Sequence, residues 1–187
     1  MLIERLQIPE VLSLVPARHG DDRGFFSETF RVDVLAAHGV AAAFVQDNHV
    51  FSALRGVVRG LHFQAPPHAQ GKLVRCSRGA ILDVAVDIRV GSPTYGDHVA
   101  VELSGTNWRQ LWVPPGFAHG YVTLEENSEV IYKVTDYYAP DCDRGISWND
   151  PALAIDWRVP VGDAILSDKD RRQPRLADSA PAFTFVG

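Results

Sequence analysis

The clearest strand in this chain is Ile81-Leu82-Asp83-Val84-Ala85-Val86-Asp87-Ile88-Arg89. Successive side chains of a β-strand point to opposite faces. The aliphatic residues at positions 82, 84, 86 and 88 therefore share one face, whereas Asp83, Asp87 and Arg89 take the other. This pattern predicts a strand with one packed face and one polar face.

Comparable runs recur at intervals typical of an all-β sandwich or barrel. They cover residues 44–50, 57–63, 72–77, 98–103, 110–113, 120–124 and 129–138. Strands in this number and rhythm predict an all-β double-stranded β-helix, that is, a cupin-like jelly roll with short peripheral helices. The best helix candidate covers residues 31–38 and is ended by Gly39. After Trp148 the chain becomes rich in loops.

Length and composition narrow the class of protein. The 187 residues fit one domain over 1–187, and the net charge of −5, without a polybasic block, argues against nucleic acid as a partner. Glu4 and Arg5 interrupt the N-terminal apolar residues, so neither a secretory signal nor a membrane span is expected. Cys76 and Cys142 lack CxxC spacing, which predicts reduced thiols in a cytoplasmic protein.

His62 and Lys72 lie on successive predicted strands and are the first catalytic candidates. A histidine can remove a carbon-bound proton, and a nearby lysine can hold the negative charge that then develops on an adjacent carbonyl oxygen. A core or surface role for His62 and an edge position for Lys72 are the structural alternatives. Tyr132 is either a packed tyrosine or a ligand contact, and Tyr138 should lie about 20 Å from it along the same strand.

One motif is typical of a metal site: Pro114-Pro115-Gly116-Phe117-Ala118-His119 has the PxGxxH form found in metal-binding cupins. The partner half reads His62-Phe63-Gln64, which lacks the second histidine and the glutamate. Firm binding of a transition metal generally needs three or more such ligands. No metal is therefore expected, and His119 is predicted to bind substrate. Arg23 and Arg59 could clamp a diphosphate or simply be solvated.

A series of motifs resembles the dTDP-4-dehydrorhamnose 3,5-epimerase family, in order, from about residue 8 to residue 176. They lie at residues 20–26, 44–49, 59–64, 71–75, 115–120, 132–133 and 167–170. The resemblance implies cofactor-free epimerisation of dTDP-4-dehydro-6-deoxy-D-glucose at C3 and C5, which gives dTDP-4-dehydro-L-rhamnose. It also implies a homodimer in which the N-terminal segment pairs with the partner's sheet.

The same resemblance assigns roles to individual residues. His62 would be the base, Asp170 would orient it, Lys72 would stabilise the enolate, and Tyr132 would return a proton from the opposite face. The implied substrate contacts are Arg23, Glu28, Gln46, Asp47, Asn48, Arg59, His119, Asp143 and Lys169, with Tyr138 stacking on thymine. Asp143 departs from the family pattern, which has a glutamate there.

Three alternatives accompany this interpretation. A 3-epimerase or a 5-epimerase of a related dTDP-4-keto-deoxysugar could keep the same catalytic residues. A metal-dependent cupin oxygenase would need the ligands that the sequence lacks. A non-catalytic sugar-binding barrel would have no use for a histidine–aspartate pair facing a tyrosine.

Overall fold

Two antiparallel sheets face each other in the computed structural model, which describes residues 1–186. The larger sheet has six strands. In spatial order they are β1 (Leu2–Arg5), β2 (Leu12–Val15), β11 (Gln110–Val113), β7 (Lys72–Arg78), β13 (Ser128–Val134) and β5 (Gln46–Ser52). Strands distant in the chain are neighbours in this sheet, as expected for a jelly roll.

The second sheet has five strands. In spatial order they are β10 (His98–Ser104), β8 (Ala80–Asp87), β12 (Phe117–Thr123), β6 (Val58–Gln64) and β14 (Asp143–Gly145). Four short strands lie outside the two sheets: β3 (His19–Asp21) pairs with β4 (Gly24–Phe26), and β9 (Arg89–Val90) pairs with β15 (Phe183–Thr184). The helices are α1 (Val32–Ala37) and α2 (Asp168–Arg171), with 3₁₀ turns at Pro140–Cys142, Val161–Asp163 and Leu176–Asp178.

Apolar side chains form three layers around these sheets. Between the sheets, Val74 and Leu111 of the larger one pack with Ile81 and Ala85 of the smaller one. On the outer face of the smaller sheet lies a cluster that includes Trp148 from the C-terminal segment. The outer face of the larger sheet is covered by a cluster that includes residues of α1 and the segment after it. The expected cupin-like jelly roll is thus confirmed.

The prediction of one polar face on β8 is wrong. All eight residues of β8 are buried, including Asp83 and Asp87. The aliphatic face is covered by the C-terminal segment, and the other face points to the core between the sheets. Asp87 is satisfied there by hydrogen bonds from Arg89, Ser92 and Thr94, which is how buried carboxylates are usually accommodated.

Most predicted strands are present with shifted ends. β12 begins at Phe117 rather than residue 120, so His119 lies inside a strand. β13 ends at Val134, so Tyr138 lies in the turn beyond it and the expected separation along one strand does not apply. The short strands β1 to β4 had not been predicted, whereas the helix predicted over 31–38 is confirmed as α1.

The helices of the described residues are short. None within residues 1–186 has the length and apolar character needed to cross a membrane.

Candidate active site

A cavity of about 430 Å³ opens between the two sheets. Its walls carry His62 and His119 from the five-stranded sheet, and Lys72 and Tyr132 from the six-stranded sheet. A second cavity of about 200 Å³ shares His62, Lys72 and Tyr132 with the first. The four residues of the sequence-based catalytic hypothesis (His62, Lys72, Tyr132 and Asp170) all line the larger cavity. This volume suits a small organic ligand.

His62 and Asp170 form a hydrogen-bonded pair at one wall. The distance between His62 Nε2 and Asp170 Oδ1 is 2.5 Å, and Asp170 is only 5% exposed. Ser167 caps helix α2, and its hydroxyl donates to Asp170 Oδ2 at 2.8 Å. Because Nε2 faces the carboxylate, Nδ1 is the ring nitrogen left to accept a proton. The pair is therefore built to orient a base and to stabilise its protonated form.

Asp170 stays ionised despite its burial. Burial alone would raise the pKa of this carboxyl group, but the hydrogen bonds from His62 and Ser167 oppose it, and the net pKa lies below the usual value. A carboxylate that keeps its charge beside His62 favours the imidazolium that forms when the ring takes a proton.

Lys72 is the first residue of strand β7, and its side chain reaches the other sheet. Its Nζ donates a hydrogen bond to the backbone carbonyl of His62 at 3.4 Å. Burial lowers the pKa of Lys72 to about 8, and the negative charges of Asp83 and Asp143 limit that fall. The ammonium group is thus largely charged at neutral pH and sits beside the proposed base. A cation held at this place can stabilise an oxyanion without reorganisation.

Tyr132 lies on β13, the strand next to β7, and faces the cavity from the sheet opposite His62. Burial raises the pKa of its hydroxyl, with the positive charge of Arg59 acting against the shift. Tyr132 is therefore protonated at neutral pH, the state required of a proton donor.

His119, which lines the larger cavity, forms a second pair with Asp83. The distance from His119 Nε2 to Asp83 Oδ1 is 2.8 Å, and both side chains are buried. Burial lowers the pKa of His119 even though Asp83 favours its charged form. A neutral His119 thus donates a hydrogen bond from Nε2 to Asp83, and its Nδ1 is then an acceptor. The alternation of residues in β8 predicts only a polar face for Asp83 and does not connect this residue with the site.

A β-bulge lets Arg59 and His62 share the cavity although they are three residues apart. In the pairing of β6 with β12, His62 lies opposite His119, whereas Arg59 lies opposite Tyr121, two residues further on. The extra residue on β6 restores a common face for the two side chains. Gly60 has φ +132°, and a Cβ atom there would lie 2.5 Å from the Cα of Gly120.

The smaller cavity collects several of the implied substrate contacts. Tyr138 donates a hydrogen bond from its hydroxyl to Asp143 Oδ2 at 3.1 Å, and Lys169 forms an ion pair with the same oxygen. Gln46 does not line the cavity itself, but it contacts two residues that do: it accepts a hydrogen bond from the backbone of Tyr138 and donates one to Asn48. The shorter acid at position 143 therefore reaches both a tyrosine and a lysine.

Three implied contacts lie elsewhere. Arg23 is highly exposed and pairs with Asp21 at 2.5 Å, and Glu28 lies 3.7 Å from Arg31. Asp47 alternates with Gln46 and Asn48, so its side chain points to the outer face of the sheet, where it pairs with Lys133 at 2.7 Å. None of the three lines either cavity beside His62.

The described residues offer no cluster of metal ligands. Within residues 1–186 no three or more His, Cys, Asp or Glu side chains form a group able to hold a metal ion. His119, the histidine of the PxGxxH motif, is instead paired with Asp83.

The family model for dTDP-4-dehydrorhamnose 3,5-epimerase matches residues 5–178. This chain belongs to the dTDP-4-dehydrorhamnose 3,5-epimerase family. It is 50% identical to the dTDP-4-dehydrorhamnose 3,5-epimerase of Sinorhizobium fredii over 100% of this chain and 95% of that protein. It is 38% identical to the dTDP-4-dehydrorhamnose 3-epimerase of Streptomyces niveus, over 97% of this chain and 87% of that protein.

Solved structures of family members share the fold. The dTDP-6-deoxy-D-glucose-3,5-epimerase of Legionella pneumophila, solved in complex with dTDP-4-keto-L-rhamnose, superposes with a TM-score of 0.95. The two chains are 43% identical, and the alignment covers 100% of this chain and 99% of that one. Membership of the epimerase family is therefore supported by sequence and by structure.

Tyr121, which lines the larger cavity, and Asp83, which contacts His119 behind it, were not singled out from the sequence. Asp83 and Tyr121 lie opposite each other on β8 and β12. Period-two alternation places Tyr121 on the same face as His119, so the sequence alone could have indicated Tyr121. Recognition of Asp83 required the knowledge that both faces of β8 are buried.

Proposed function

We propose that this protein epimerises dTDP-4-dehydro-6-deoxy-D-glucose at C3 and C5 and so forms dTDP-4-dehydro-L-rhamnose. The observation that carries the proposal is the arrangement in one cavity of His62, paired with Asp170, on one sheet, and of Tyr132 and Lys72 on the other. An acid and a base on opposite walls suit inversion at a carbon, because the proton leaves one face and returns to the other.

Each inversion follows from these positions. His62 Nδ1 takes the proton from the carbon next to the C4 ketone, and the electron pair moves to the C4 oxygen as an enolate. Lys72 meets the charge on that oxygen. The enolate then collapses and takes a proton from Tyr132 on the opposite face. Exchange with solvent returns a proton to Tyr132 and removes one from His62 before the second carbon reacts.

The proposed substrate contacts divide between the two cavities. Arg59 and His119 line the larger cavity with the reacting groups. Asn48, Tyr138, Asp143 and Lys169 line the smaller one, where Tyr138 offers an exposed ring for stacking on thymine. A long nucleotide-sugar would fill both, with the sugar next to His62 and the base next to Tyr138.

We propose further that the protein is a homodimer in which each hairpin β3–β4 and the segment after it supply Arg23 and Glu28 to the partner's cavity. In its own protomer the hairpin packs Phe25 against Trp108. Trp108 precedes β11, whose far end, Val113, pairs with Lys72. The three steps from Val113 to Gln110 within β11 alone correspond to roughly 10 Å, so the hairpin lies away from its own Lys72.

Mixed dimers test this arrangement. Arg23→Ala and His62→Ala variants should each be impaired alone, but a dimer with one protomer of each kind has one site with both residues intact. Purified mixed dimers should therefore show about half the activity of the wild-type protein. Absence of any restoration in dimers shown to be mixed would place Arg23 in its own protomer's site.

β1 offers a further contact between protomers. It lies at the edge of the six-stranded sheet and pairs with β2 of its own chain. Its other edge is available to a second copy, as an unpaired strand edge can extend a sheet. We also propose a cytoplasmic location, which the two unpaired cysteines support.

Purified protein incubated with dTDP-4-dehydro-6-deoxy-D-glucose tests the proposed reaction. Proton couplings around the sugar ring of the product, measured by NMR, report the configuration at C3 and C5. We expect both centres inverted and the same rate with and without a chelator. A product inverted at C3 alone would favour the activity of the 3-epimerase relative, and no conversion would contradict the proposal.

A further inference from the structure

Tyr121 is a buried tyrosine in the wall of the larger cavity. It lies two residues after His119 on β12 and therefore shares its face. The residue is 4% exposed, and its hydroxyl has no hydrogen-bond partner within residues 1–186. Its ring belongs to the core between the sheets, whereas the residue also lines the cavity beside His62.

An unpaired buried hydroxyl is unfavourable, because folding removes it from water without replacing the lost hydrogen bond. A phenylalanine would fill the same space without that cost. The hydroxyl of Tyr121 is thus not explained by packing within the described part of the chain. Its position in the cavity wall indicates that its partner is a group that enters the cavity.

The neighbours of Tyr121 define the group that it can bind. On β8 it lies opposite Asp83, whose Oδ2 also has no hydrogen-bond partner among the described residues. On β6 it lies opposite Arg59. Burial raises the pKa of Tyr121, while the positive charge of Arg59 opposes the shift. The hydroxyl is therefore protonated at neutral pH and can act as a donor.

Tyr121 is poorly placed to act as a second catalytic acid. It belongs to the same sheet as His62, since β12 pairs directly with β6. A proton delivered from this side would return to the face from which His62 removed it, and no inversion would result. Tyr132, on the other sheet, is the residue placed for that step.

We propose that Tyr121 is a further substrate-binding residue, whose hydroxyl donates a hydrogen bond to a hydroxyl group of the sugar. The inference rests on the proposed epimerase function, because it needs a sugar next to His62. A neutral phenol matches a neutral alcohol, and the ring lies near the reacting groups rather than near Tyr138, where the base is expected. Tyr121 would thus contribute to recognition of the sugar rather than of the nucleotide.

The test compares Tyr121→Phe with the wild-type dimer. Loss of one neutral hydrogen bond should lower kcat/KM for dTDP-4-dehydro-6-deoxy-D-glucose about tenfold. In calorimetric titrations, dTDP-L-rhamnose should bind about tenfold more weakly to the variant, while dTDP alone binds equally to both proteins. The melting temperature should be unchanged or higher, because a buried unpaired hydroxyl has been removed.

Ser52→Ala is the matched control. Ser52 is 4% exposed and its hydroxyl also has no partner in the described chain, but it does not line the cavity. Its removal should leave kcat/KM and the affinity for both ligands unchanged. It shows what the loss of an unpaired buried hydroxyl does to stability alone.

Each outcome has a distinct meaning. Wild-type affinity and turnover in Tyr121→Phe would overturn the proposal and leave Tyr121 as a packing residue. An equal loss of affinity for dTDP and dTDP-L-rhamnose would assign the hydroxyl to the nucleotide, and a lower melting temperature would make it structural; both contradict a sugar contact. If the wild-type protein itself fails to epimerise the sugar, the proposed function fails first and the sugar contact falls with it.

Discussion

His62 and Tyr132 line the same cavity from two different sheets. His62 belongs to the five-stranded sheet and is held by Asp170 of helix α2. Tyr132 belongs to β13, which lies between β7 and β5 in the six-stranded sheet. A flat carbonyl compound held between these walls has one face toward the base and the other toward the acid. The jelly roll thus supplies the two-sided geometry that inversion requires.

Replacement of Tyr132 by Phe should separate proton removal from inversion. The ring packing is kept and only the hydroxyl is lost, so the substrate should still exchange hydrogen with heavy water while little inverted product forms. Mass spectrometry and NMR of one reaction measure both quantities. Tyr95→Phe, an exposed tyrosine outside both cavities, is the control. Full epimerisation by Tyr132→Phe would remove Tyr132 from the role of acid.

Replacement of His62 by Ala should lower kcat at least about a hundredfold, the lower end of what a positioned base contributes. Asp170→Asn should also reduce kcat, because an amide cannot stabilise the imidazolium. Affinity for dTDP should stay near the wild-type value in both. His49→Ala is a suitable control, since His49 also pairs with an acid, Glu129, at 3.2 Å but on the outer side of the sheet. Near-normal kcat in His62→Ala would show that the base is another residue.

The pH dependence of kcat/KM should reveal the deprotonation of Lys72. Its pKa is lowered to about 8, so the ammonium group is charged below that pH and neutral above it. Because only the charged form stabilises the enolate, kcat/KM should fall as pH rises through about 8. A kcat/KM that stays level up to pH 10, with the protein still folded, would contradict this role for Lys72.

Tyr138→Ala should weaken nucleotide binding more than it slows the reaction at saturating substrate. The exposed ring is the proposed stacking surface, and loss of an aromatic contact raises KM when it acts equally on ground and transition states. Titration with dTDP and steady-state kinetics measure the two effects. Tyr137→Ala removes a neighbouring, similarly exposed ring and should change neither. Equal effects of the two variants would argue against stacking on Tyr138.

Strand periodicity predicted the fold well, because alternation is a local signal that survives in a jelly roll. It failed for Asp83, because the aliphatic face of β8 is the outer face of the sheet and is covered by residues far along the chain, such as Trp148. The face that carries Asp83 therefore points to the core between the sheets. It also could not place Arg59 on the same face as His62, because a bulge between them changes the period.

The candidate site was predictable mainly through resemblance to the epimerase family. His62 and Lys72 carry a chemical signal of their own, but Asp170 joins His62 from 108 residues away and no local pattern indicates that contact. Arg23 and Glu28 do not line either cavity beside His62, and no local pattern in the sequence indicates how far from His62 they lie. The unpaired hydroxyl of Tyr121 appears only when its surroundings are known.

The most direct test of the account is the number of deuterons that enter the sugar during the reaction in heavy water. In the proposed mechanism, each inversion transfers a carbon-bound hydrogen to His62 and returns one from Tyr132, whose hydroxyl exchanges with solvent. Mass spectrometry of the product, with His62→Ala as the control for uncatalysed exchange, should find two deuterons, and NMR should place them at C3 and C5. A product with one deuteron, or with none, would contradict epimerisation at both carbons.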